Sequence, residues 1–146
     1  MKTLSDAAAR DEILGRLERL SHDAPARWGT MDCPRMLAHL ADALRMGTGE
    51  LPVAFKKSPL SIRLVRWLVI HHLPFPRGTP TAPALIGRAP GEWRSELDAV
   101  RERVAGFRAE RTDPWPIHPI FGTMSGRDWA TLTYRHIDHH LRQFGA

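Results

Sequence analysis

Cysteine is almost absent from this chain: Cys33 stands alone among 146 residues, which excludes an internal disulfide framework and a cysteine-rich zinc site. Any metal must then be held by histidine or carboxylate. Long apolar runs are missing as well; the best, Leu60 to Leu73, is interrupted by Arg63, Arg66, His71 and His72, short of the ~18 uninterrupted residues a membrane span requires. The N-terminal stretch MKTLSDAAARDEIL lacks the apolar core of a signal peptide, so a cytoplasmic location is expected. No run alternates apolar and polar residues as a strand would.

The composition is otherwise that of a folded domain, with 42% hydrophobic and 25% charged residues, which excludes wholesale disorder. One domain spanning 1–146 is expected at this length. A net charge of +5 and a pI near 10.3 would suit a phosphate-binding surface. The basic residues are scattered, however, and eighteen of the 21 are arginine. Nucleic acid is therefore not the expected partner.

The periodicity predicts helices joined by proline-rich connections. A first helix runs from after Ser5 to about Leu20 with Ile13, Leu14, Leu17 and Leu20 on one side. A second opens at Asp32, an N-cap with Pro34 in the first turn, and ends near Gly47 or Gly49. Met36, Leu40, Ala43 and Leu44 form its apolar stripe, and His39 falls on that stripe. Ser58-Pro59 reads as a cap for a short helix through Leu64, Trp67, Leu68 and His71. The stretch 73–90 holds Pro74, Pro76, Pro80, Pro83 and Pro90, so no regular element should cross it. From Gly91 or Glu92 to about Ala109, Trp93, Leu97, Val100, Val104 and Phe107 recur at spacings of four and three. After DPWPIHPIFGTM, Ser125 and Asp128 form a capping box for a last helix from Gly126 to about Phe144. The expected fold is all-α: a four-helix bundle with an extra short helix and long proline-rich connections.

The last helix carries the chemistry. Trp129, Thr133, His136, His140 and Phe144 recur at spacings of four and three, and two imidazoles one turn apart can converge on one cation. His39 supplies a third from the second helix. Three inward imidazoles without carboxylates are costly to bury uncoordinated, since each has a donor and an acceptor to satisfy. Three neutral histidines leave a fourth position open, as in catalytic zinc sites. Zinc is the default, with nickel, iron and manganese also compatible with imidazole. The alternative is that His136 and His140 are partly exposed helix residues and His39 a hydrogen-bonded core histidine. Around the three, Asp42, His118, His139 and Gln143 are candidates for the surrounding layer, with Asp42 placed to orient an imidazole; loop packing for His118, a surface position for His139 and a helix-end hydrogen bond for Gln143 are the alternatives. Asp138 could serve there or in a surface salt bridge. Cys33 does not face the histidines and reads as a buried thiol. Arg63, Arg66, Arg135 or Arg142 could form a basic rim for an anionic cosubstrate. Trp67 and the short helix read as core, as a lid, or as a membrane-surface element with Arg63 and Arg66 snorkelling.

The run His136-Ile137-Asp138-His139-His140-Leu141-Arg142-Gln143 resembles the C-terminal signature of the DinB-like superfamily, in a branch of short bacterial proteins. His118-Pro119-Ile120-Phe121-Gly122, Trp129 and the stretch Arg77 to Pro83 are similar to that branch too. The resemblance covers nearly the whole chain. It implies a four-helix bundle with a divalent metal on one histidine of the second helix and two of the last, which fall on His39, His136 and His140. It also implies a small-molecule substrate, with transferases and isomerases that use low-molecular-weight thiols among the relatives. A metal-dependent transferase or hydrolase and a non-catalytic, metal-stabilised interaction or stress-related module both fit, and a bundle of this size can form a homodimer.

Overall fold

The helix start signals at Asp32 and Ser125 are followed by helices. The computed structural model of the chain describes residues 1–75, 77, 85, 87–109 and 114–146. Helix α1 spans Ala7–Glu18, α2 Cys33–Gly47, α3 Arg63–His71, α4 Trp93–Ala105 and α5 Gly126–Gln143, with a 3-10 turn at Pro59–Ser61. Among the described residues there is no strand, and the fold is all-α.

Local chemistry sets the boundaries. Asp32 caps α2 by accepting from the Arg35 N–H, and the Ser125–Asp128 capping box opens α5. The Ser58 hydroxyl donates to the Ile120 carbonyl and caps nothing; Ile62 is extended, so the expected short helix is split into the 3-10 turn and α3. Helix α1 stops at Glu18, and Leu20 turns back to bond the Leu17 carbonyl while staying buried. Helix α4 stops at Ala105, short of the expected Ala109, because Gly106 is a poor helix residue at about 1 kcal/mol relative to alanine. Phe107 therefore reaches the core from beyond the helix end. Of the proline-rich stretch 73–90, residues 76, 78–84 and 86 lie outside the described set.

Four helices form the bundle. Helix α1 packs on α4 and α5, and α2 packs on the same two, which puts α1 opposite α2 and α4 opposite α5 across one core. That core is built from Ile13 and Leu17, from Met36, Leu37, Leu40 and Leu44, from Leu97, Val100 and Val104, and from Tyr134, Ile137 and Leu141. Each fully buried aliphatic side chain contributes about 1.5–3 kcal/mol. A second cluster, with Met46, Ile70, Phe121, Met124, Trp129 and Leu132, lies where α3 packs on α5. The Arg135 guanidinium, projecting from α5, ends α3 by donating to the carbonyls of Val69, Ile70 and Leu73.

Candidate metal centre

His39 sits on α2 and is buried, while His136 and His140, one turn apart on α5, are partly buried. Because α2 and α5 are neighbours in the bundle, the three rings meet. Their centroids form a nearly equilateral triangle, with sides of 4.9 Å (His39–His136), 5.0 Å (His39–His140) and 4.8 Å (His136–His140). Each offers one ring nitrogen, and the three lie within 4.8 Å of one another, a spacing that can hold a metal ion. His39 Nε2 is 3.0 Å and His140 Nε2 3.2 Å from His136 Nε2.

The outer nitrogens fix where the protons are. His39 Nδ1 lies 3.1 Å from the Leu85 carbonyl, which can only accept, so Nδ1 carries the hydrogen and Nε2 presents a lone pair inward. The Gln143 amide nitrogen donates to the Trp28 carbonyl (2.7 Å), which turns its Oε1 toward His140 Nδ1 at 2.9 Å. His140 Nδ1 is then also the protonated nitrogen, and its Nε2 is a second inward lone pair. His136 Nε2 faces both, and one N–H cannot fully satisfy two acceptors. A cation at the centre satisfies all three nitrogens, so the donor set fits a divalent metal.

The electrostatics agree. Burial pushes His39 below its usual pKa, only partly offset by its bond to Leu85 and by Asp42. His140 is pushed down to about 3, by burial first and by His39 next, and His136 goes well below 6.5 through burial and then His140 and His39. All three are neutral at pH 7, as ligands must be.

The other candidate residues fall in different places. Gln143 is buried and holds His140. His139 does not point at the centre; it packs edge-on to Trp28 and beside Phe75. His118 packs against Phe121 and Trp129, and its Nδ1 accepts from the Ile120 and Phe121 N–H groups, closing the tight turn that ends at Gly122 (φ 73°). Asp42 orients no imidazole, contrary to the expectation from its spacing: its carboxylate takes Arg45 and Arg88 instead. It acts at one remove, since Arg88 also binds Glu96 and the Ala38 carbonyl and so ties the chain just after Leu85 to α2 and α4. Asp138 pairs with Arg16 and Arg142. The expected basic rim is largely spent inside the fold, with Arg135 on α3, Arg66 on the Phe121 carbonyl and Arg142 on Asp138, while Arg63 stays exposed. Cys33 is buried, with its thiol raised to about 11.

Sequence reasoning missed the carbonyls of Leu85 and Trp28. No side-chain pattern announces a main-chain acceptor contributed by a distant loop. Two surface clefts, one lined by Leu44, Phe107 and Trp115 and the other by Trp67, His71 and Asp128, lie away from the three histidines.

No curated protein and no solved structure matches the chain. A family model described as a protein of unknown function, DUF1569, matches residues 4–146, and the chain belongs to that family.

Proposed function

We propose that the chain is a divalent-metal protein of the DinB-like type, with His39, His136 and His140 as ligands and an open coordination position for a small molecule. One observation carries this reading: two inward lone pairs, fixed by Leu85 and Gln143, face a third imidazole nitrogen at 3.0 and 3.2 Å. The arrangement of one ligand on α2 and two on α5 is the one the resemblance implies. Zinc is the leading candidate because three neutral imidazoles suit it, with nickel, iron and manganese as the other candidates.

A bound divalent cation would supply Lewis acidity, lowering the pKa of a thiol or water at the open position. The protein's part is to hold the three rings neutral and oriented. Leu85 and Gln143 lock two tautomers, and partial burial limits competition from water for the same nitrogens. The reaction class that follows is thiol transfer to an electrophile or hydrolysis of a small molecule.

The test uses protein loaded with Co²⁺, whose visible spectrum reports coordination. Addition of glutathione is expected to change the d–d bands and add a thiolate charge-transfer band in wild type. An unchanged spectrum with glutathione and with the other small thiols cysteine and 2-mercaptoethanol would overturn the thiol reading. If Co²⁺ binding still stabilised the protein, the ion's role would be the non-catalytic one of tying α2 to α5.

A further inference from the structure

Helix α3 carries more apolar surface than the fold uses. Its inner side buries Ile70 completely and packs Val69 against the second core cluster. Yet Leu64, Trp67 and Leu68, at spacings of three and four, share an outer face and are 72%, 49% and 41% exposed. An exposed tryptophan between two exposed leucines on one short helix is an interaction surface in search of an apolar partner.

The charge in α3 and the segment before it says which partner. Between Glu50 and Glu92 the sequence has no acidic residue. Lys56, Lys57 and Arg63 lie exposed in or just before α3, and none of them pairs with a carboxylate among the described residues. Asp128, the α5 carboxylate that reaches α3, is taken up by His71 at 2.8 Å. A second copy of the chain is disfavoured here, because a symmetric contact would set these unpaired cations against themselves. An anionic bilayer surface complements both features: headgroups for the three cations and the acyl boundary for the apolar side chains.

We propose that α3 and the segment before it form a peripheral docking face for anionic membranes. The bundle lies on the bilayer and does not cross it; no described helix is long and apolar enough to span. Trp67 enters the interfacial layer with Leu64 and Leu68, and Lys56, Lys57 and Arg63 contact lipid phosphates.

Co-sedimentation with vesicles tests this, comparing phosphatidylcholine alone with an equal mixture of phosphatidylcholine and phosphatidylglycerol. Wild type is expected to sediment with the mixture and stay in solution with the neutral vesicles. Leu64→Glu/Trp67→Glu should weaken binding by about tenfold or more, and Lys56→Glu/Lys57→Glu should also weaken it, more so at low salt. Because the substituted side chains are exposed, both variants should keep the wild-type circular dichroism and melting temperature. The proposal is overturned if wild type ignores the anionic vesicles, if it binds neutral vesicles equally, or if the folded Leu64→Glu/Trp67→Glu variant binds as wild type does. It is also overturned if wild type is a dimer in solution that the same variant splits, since the face would then belong to a second copy.

Discussion

His39 Nε2 lies 3.0 Å from His136 Nε2 and has no proton to donate across that gap, because its hydrogen is held by Leu85 on the other side of the ring. His136 Nε2 has at most one hydrogen and faces His140 Nε2 as well, so the three nitrogens are short of satisfaction without a cation. Adding Zn²⁺ at about a hundred times its dissociation constant is expected to raise the melting temperature by roughly 5–10 °C. Calorimetry would check this. An equal shift in His39→Ala would mean that the ion binds elsewhere.

Gln143 should matter to metal affinity without touching the metal. It turns His140 through Nδ1 and is itself held by Trp28. Gln143→Leu keeps the volume and removes the acceptor, and a loss of about 10–100-fold in Zn²⁺ affinity is expected. Competition titration against a chelating dye measures it. An unchanged affinity in a folded variant would show that the rings are set by packing alone.

His118 gives the fold a pH dependence separate from the histidine triangle. Burial lowers its pKa from the usual 6.5 to about 4, and protonating Nδ1 would remove the acceptor of two backbone N–H groups. The unfolded chain takes up this proton more readily than the folded one. Stability is therefore fully present above about pH 6.5 and declines as pH falls toward 4, by about 3 kcal/mol over the window. In urea unfolding at several pH values, His118→Asn should show a flatter profile than wild type between pH 6 and 4. Identical slopes would remove His118 as the cause.

Arg88 joins the loop to the bundle through Asp42, Glu96 and the Ala38 carbonyl. Arg88→Met leaves the buried Glu96 without its cation and Asp42 with Arg45 alone. Breaking a fully buried pair costs about 3–5 kcal/mol, and since the Arg88 side chain is 37% exposed, a loss of about 2 kcal/mol is expected. Metal affinity should fall as well, because Leu85 would no longer be held against His39. A destabilised variant with wild-type affinity would separate the network from the site.

Much of this was legible from residue spacing, because caps and apolar stripes act locally. The Ser125–Asp128 box and the 4,3 stripe of α4 marked the helices that form. The four-residue spacing of His136 and His140 put them on one face, though that face lies beside the main core stripe of Tyr134, Ile137 and Leu141. The misreadings share a cause. Asp42 stands one turn from His39, but Arg88 arrives from a segment forty-odd positions away in the chain and takes its carboxylate. Arg135 looked free for a ligand and instead ends α3, a partner that becomes visible only once α3 packs on α5. Spacing within one helix finds the residues that share a face; it is silent on what a loop brings to them.

The central claim is that His39, His136 and His140 hold one metal ion. Elemental mass spectrometry of purified, tag-free protein, wild type beside His136→Ala/His140→Ala, tests it most directly. About one equivalent in wild type, before or after reconstitution with Zn²⁺, Ni²⁺ or Mn²⁺, and none in the variant is the predicted result. Metal retained in the variant, or wild type that takes up none of the three ions, would contradict it.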